Sequence, residues 1–73
     1  MNKAALAGAL DVWAQSRERA IVSLSRKASW LARIGDNVEA DRLNLAARSL
    51  MVRCRHERAR AAALRDSELV PVG

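Results

Sequence analysis

The chain contains no phenylalanine and no tyrosine, and its aromatic residues are Trp13 and Trp30 alone. Binding of single-stranded nucleic acid by base stacking uses several aromatics along one surface, so that mode is disfavoured. Cysteine and histidine occur once each, as Cys54 and His56. On a helix, residues two apart point about 200° away from each other, so this pair cannot share a metal ion. A lone cysteine gives no disulfide framework and suits a reducing cytoplasm. No nucleophile and base are spaced for catalysis, and a bare pair of helices offers no cleft. The chain is therefore expected to be no enzyme and to carry no metal or cofactor. Proline occurs once, at Pro71, and the three glycines are Gly8, Gly35 and Gly73. Helix breakers are thus nearly missing from two long stretches. Long apolar runs are missing as well: no segment approaches the ~20 apolar residues that span a bilayer. Lys3 followed by Ala4–Leu10 has the order of a signal peptide, but Asp11 interrupts the run and no clean cleavage site follows. A soluble, cytoplasmic protein without membrane association is the expectation.

What the chain does have is positive charge. Thirteen Lys and Arg face eight Asp and Glu, for a formal net charge of +5, and all the basic residues except Lys3 and Lys27 are arginine. Such a balance favours acidic partners: nucleic acid, anionic lipid or an acidic protein face. Seventy-three residues allow one domain. A single core in a chain this short supplies only about 3–5 kcal/mol. Without disulfide or metal, association with itself or with a partner is the remaining remedy.

The chain turns at Arg33-Ile34-Gly35-Asp36-Asn37-Val38. Gly35 suits the position after a helix C-terminus, where only glycine takes the left-handed conformation without a Cβ clash. Asp36 can cap the next helix, with Glu39 three residues on to close a capping box. Asn2 can cap the first helix, predicted over about 3–34. Its apolar seam is Leu10, Ala14, Arg17, Ile21, Leu24, Ala28 and Leu31, spaced alternately four and three, with Leu6 extending it. The second helix is predicted over about 37–65, with its seam at Ala40, Leu43, Ala47, Leu50, Cys54, Glu57, Ala61 and Leu64. Many of these are alanine, which permits close approach but buries little area. Residues 1–65 thus form one helical hairpin, and 66–73, lacking periodicity, a flexible tail.

Folding the chain at Gly35–Asp36 sets Leu24 opposite Ala47, Ile21 opposite Leu50, and Arg17 beside Cys54 and Glu57. Each seam holds one charged residue, the signs are opposite, and the two fall at one level. An Arg17–Glu57 ion pair between the helices is expected, in competition with both side chains lying at the edge of the seam. Cys54 reads as a small seam residue and His56 as a surface one.

Off the seam lie Val12, Trp13, Val22 and Trp30 on the first helix and Leu45, Val52 and Ala59 on the second. Contiguous apolar surface outside a core marks an interface, here either with a second copy or with another protein. Trp30 stands a turn before the bend, flanked by Arg26, Lys27 and Arg33. Tryptophan and arginine are the types most enriched at binding hot spots, which makes Trp30, Arg26, Arg33, Leu45 and Val52 the candidate partner-binding residues. Trp13, beside the seam, reads as packing. The arginines of the second helix wrap around it: Arg53 and Arg60 on one flank of the seam, Arg58 and Arg65 on the other, Arg48 and Arg55 outside. They form a solvated face pairing partly with Asp11 and Glu18, or a basic surface for phosphate or acidic protein, with Arg48, Arg55 and Arg58 the candidates.

A two-helix hairpin with a short turn, one cysteine and a loose tail resembles the Rop-type plasmid copy-control proteins over residues 3–65. It is equally similar in architecture to small helical proteins of phages and mobile elements that inhibit host or defence proteins. The first resemblance implies a four-helix-bundle homodimer that binds paired RNA loops; the second implies direct binding to a protein target. A DNA-binding helix-turn-helix fits poorly, because both helices here are long. The expectation is an all-α antiparallel two-helix hairpin, dimerising into a four-helix bundle. It would block or scaffold a partner protein, with RNA or other nucleic-acid binding as the alternative.

Overall fold

Two helices and the bend between them make up the structure, a computed structural model that describes residues 2–69. Helix α1 runs over Lys3–Arg33 and α2 over Asn37–Leu69, and the two pack side by side. Asn2 caps α1 as its sequence position implies, its Oδ1 accepting the Ala5 N–H at 2.7 Å. At the other end α1 stops one residue before the expected Ile34, which serves as the C-cap. Gly35 then takes φ 91°, the left-handed geometry that other residues avoid. Two hydrogen bonds close this end, from Gly35 N–H to the Ala32 carbonyl at 3.2 Å and from Asp36 N–H to the Leu31 carbonyl at 2.9 Å. Together they are a Schellman motif.

That motif changes how α2 begins. Asp36 Oδ1 accepts the Glu39 N–H at 3.2 Å, which is half of the expected capping box. The reciprocal bond would need the Asp36 N–H, which is already given to Leu31. Glu39 turns instead to Arg42, at 3.7 Å.

The far end of α2 also departs from expectation. The helix continues to Leu69, past the predicted end at Arg65, so the first part of the expected tail is helical; residues 70–73 lie outside the described residues. The cause is tertiary. Since α1 starts at Lys3, it still lies alongside the last turns of α2. Leu6 and Leu64 pack on a cluster of Ala7, Leu10 and Ala61, and the Lys3 ammonium donates to Ser67 Oγ at 2.7 Å.

Between the helices, the seams follow the four–three spacing on both sides. On α2 every seventh residue, Ala40, Ala47, Cys54 and Ala61, is small and buried. The row beside it, Leu43, Leu50, Glu57 and Leu64, is larger and only half-buried. On α1 Ala7, Ala14 and Ala28 are buried, as are Leu10 and Leu31, while Arg17, Ile21 and Leu24 are half-buried. Small faces large at most levels: Ala7 and Leu64 with Leu10 and Ala61 at one end, then Leu24 with Ala47 and Leu31 with Ala40 by the same register. Small residues let the helix backbones approach, yet each buries little apolar area. Leu10, at 2% exposure, is the most enclosed of the described leucines.

Candidate interaction surfaces

A charged waist crosses the middle of the hairpin. The Arg17 Nε donates to Glu57 Oε1 in direct contact, with 34% and 13% of the two side chains exposed. Both residues belong to the half-buried row, so the pair lies on the flank of the large seam residues. Cys54 lies in the small row, buried, and its thiol reaches the Ala14 carbonyl at 3.6 Å and Glu18 Oε1 at 3.5 Å. Glu18 in turn accepts from Arg58 Nε at 2.8 Å and Nη2 at 2.6 Å. Arg58 reaches Asp11 as well, at 3.6 Å, and Arg65 holds the other Asp11 oxygen at 2.5 Å. Arg58 follows Cys54 by four residues and precedes Ala61 by three, which puts this ladder on the flank of the small row.

The electrostatics follow from these contacts. The Arg58 hydrogen bond holds the Glu18 carboxyl below its ordinary value, outweighing some desolvation. Glu18 in return raises the Arg58 guanidinium. Desolvation pushes the Cys54 thiol up, and the Glu18 carboxylate beside it adds to the shift. A thiol so placed is a poor nucleophile, because the thiolate is the reactive form. Among the described residues, no group of three or more His, Cys, Asp and Glu is placed to hold a metal ion. Among the same residues, no helix is long and apolar enough to cross a membrane.

The waist divides the arginines of α2 by role. Arg58 and Arg65 are committed to Asp11 and Glu18, so Arg58 offers much less free charge than the sequence position implied. Arg48 and Arg55 are exposed and make no ion pair with the described residues. Each follows a buried small residue by one place, so the two sit in line, one heptad apart. His56 is exposed.

The exposed apolar residues fall on two separate surfaces. Trp30, 56% exposed, lies on α1 with Ile34 exposed one turn further on. Arg26, Lys27 and Arg33 surround it, exposed and free of ion pairs to the described residues. Arg26 and Arg33 continue a line begun by Arg19, one heptad apart on the outer side of α1. Leu45 and Val52 occupy the outer side of α2: each is two residues from a seam position on either side, about 200° around the helix. Val38, 80% exposed, extends their line toward the turn. The five candidate partner-binding residues therefore do not form one patch. Trp30, Arg26 and Arg33 come together, whereas Leu45 and Val52 face away from α1. Ile34 and Val38 join these surfaces without having been among the candidate residues; the signals for them in the sequence are the four-residue step from Trp30 and the seven-residue step to Leu45. Trp13, expected as packing, is half-exposed beside the large-residue flank.

No family model matches the chain, and no curated protein or solved structure matches it either. The two-helix hairpin that carries the resemblance to Rop-type and phage-encoded proteins is present; the likeness is one of architecture.

Proposed function

We propose that this hairpin is a small non-enzymatic binding module. It works as a homodimer and blocks or scaffolds a partner protein, in the manner of an accessory inhibitor of a phage or mobile element. One observation carries the reading. Trp30 stands more than half exposed amid Arg26, Lys27 and Arg33, with Ile34 one turn on. An isolated tryptophan in water gains nothing for the hairpin, while the same side chain in a partner's pocket buries a large area. Three positive charges around it, free of ion pairs to the described residues, select a partner whose pocket has an acidic rim.

A second reading is nucleic-acid binding, favoured by exposed arginines at heptad spacing that make no ion pair with the described residues: Arg19, Arg26 and Arg33 on α1, and Arg48 and Arg55 on α2. The two readings part on salt dependence and on the side chain that matters. Phosphate contacts release counterions, so affinity falls with salt by a logarithmic slope of roughly −0.7 to −0.9 per contact. The test is recovery of the partner from native lysate with and without nuclease, followed by binding at low and moderate salt. Trp30→Ala should weaken binding by about 2 kcal/mol or more with helicity unchanged, and Arg48→Ala with Arg55→Ala should cost less. A partner that vanishes on nuclease treatment, or a neutral Trp30→Ala beside a disabling arginine pair, would replace the first reading with the second.

A further inference from the structure

The two flanks of the hairpin are closed to different degrees. On the small-residue flank, Arg58 and Arg65 bridge to Glu18 and Asp11 and cover the seam. On the opposite flank Leu24, Leu43, Leu50 and Leu64 remain half-exposed although they belong to the seam. The rims of this leucine row carry charge of one sign. Lys27 lies three residues past Leu24, Arg53 three past Leu50 and Arg60 three past Glu57, so each edges the row. All three are exposed and make no ion pair with the described residues. The carboxylates on the same flank are already taken, Glu57 by Arg17 and Glu39 by Arg42.

The three cations are evenly spaced. By the register that brings Arg17 to Glu57, Lys27 stands across the seam from Ala46, Arg53 from Ala20 and Arg60 from Trp13. Ala46, Arg53 and Arg60 are successive heptad positions of α2, so the flank has one cation at each of three levels. The step between levels is about 10.5 Å, seven residues at 1.5 Å each. Lys27 stands on the α1 rim, and the two arginines stand on the α2 rim. Opposite each cation is an exposed alanine or tryptophan, so nothing charged closes the groove over the leucines from the other side.

We propose that this flank docks an amphipathic helix of a partner protein, laid along the hairpin, with carboxylates beside its apolar stripe at heptad spacing. Charge selects the occupant. A second copy of this chain would bring the same three cations to the same flank, and like charges set face to face oppose association. A phosphate backbone would neutralise the cations but offer the leucines nothing apolar. A flat lipid surface would meet the rims before the leucines recessed between them. A helix satisfies both parts of the surface: its apolar stripe enters the groove, and the residues beside the stripe meet the rims. Its own heptad also advances about 10.5 Å, the step between the cations. One carboxylate on one edge of the stripe meets Lys27, and two on the other edge, seven residues apart, meet Arg53 and Arg60. Each helix of the hairpin then has two neighbours instead of one.

This rests on the partner-protein reading above and names the partner's chemistry. Trp30, three residues past Lys27, stands on the outer wall of the same flank, where the partner beyond the docked helix meets it. The test uses the full chain and labelled synthetic helical peptides of three heptads with a leucine stripe. One peptide carries glutamate beside the stripe, one carries lysine there, and one has the same glutamates moved to its outer face. Fluorescence anisotropy should show the first peptide bound, and the third bound more weakly by about tenfold or more. Lys27→Glu, Arg53→Glu and Arg60→Glu together should weaken the first by about 100-fold, with helicity unchanged by circular dichroism. That triple variant should bind the lysine peptide instead. Arg48→Glu with Arg55→Glu lies away from this flank. At 0.15 M salt, where exposed charges are screened beyond about 8 Å, it should change the affinity by less than about threefold. An equal loss from both sets of variants, or a triple variant that does not take up the lysine peptide, would overturn the proposal. So would a duplex RNA or an anionic lipid vesicle held more tightly than the glutamate peptide through the same three residues. A partner recovered from lysate that is lost with Trp30→Ala but kept by the triple variant would preserve the protein-binding reading and overturn docking on this flank.

Discussion

Removing either member of the Arg17–Glu57 pair should destabilise the protein more than removing both. The two side chains are unequally covered, with 34% of Arg17 exposed and 13% of Glu57. Arg17→Met therefore strands a carboxylate that water reaches poorly, whereas Glu57→Met leaves a guanidinium that can still extend into solvent. Breaking a fully buried pair costs about 3–5 kcal/mol and an exposed one at most about 1 kcal/mol. The coverage here lies between, and we expect about 2 kcal/mol for Arg17→Met and about 1 kcal/mol for Glu57→Met. The double variant fills the same level with thioether side chains and leaves no charge behind. It should fall within about 1 kcal/mol of the native chain, on either side, because apolar replacement of a buried pair is often neutral or stabilising. The coupling energy should then be about 3 kcal/mol, far above the ~0.5 kcal/mol within which independent sites add. For a chain of this size, Arg17→Met should lower the thermal midpoint by roughly 8–16 °C. The assay is urea and thermal unfolding of all four proteins by circular dichroism at one fixed protomer concentration, since association shifts the apparent midpoint. Single-variant effects that simply add in the double variant would refute the coupling across the seam.

Two further outcomes can be read from single substitutions. Gly8 and Gly35 both have open space where a Cβ would go, yet they should respond oppositely to alanine. Gly8→Ala removes a flexible residue within α1 and should stabilise by up to about 1 kcal/mol, whereas Gly35→Ala forces a Cβ into φ 91° and should cost about 1–2 kcal/mol, both measured by urea unfolding. The Glu18 carboxyl is held below its ordinary value of 4.5, first by the Arg58 hydrogen bond, so its contribution to stability is fully present above that value. It is lost as the pH falls through the depressed folded value. Thermal midpoints of the native chain and Glu18→Gln should therefore differ at pH 6 and draw together as the pH falls below 4.5 and through the depressed folded value. A constant gap down to pH 2 would mean that Glu18 titrates as it does unfolded.

The sequence by itself determined the hairpin. Gly35, standing alone between Gly8 and Pro71, places the turn, and the alternating four–three spacing places both seams, because helical periodicity fixes the direction of every side chain around its axis. Direction and fold point together fix the register, which is why the Arg17–Glu57 contact could be expected from residue numbers alone. Three features were decided only when the helices met. The Schellman bonds at Gly35 took the Asp36 N–H and left the capping box half made. Helix α2 continued past Arg65 because Lys3 and Leu6 of α1 lay alongside it, a neighbour that local propensity does not know about. The two seam rows also differ in depth: Ala40, Ala47, Cys54 and Ala61 are buried, while Leu43, Leu50 and Leu64 stay half open. Periodicity says which way a residue points, but its depth depends on how closely the backbones approach. That approach is set by the smallest side chains at the contact, so the alanines sink into the seam and the leucines are left with one face toward water.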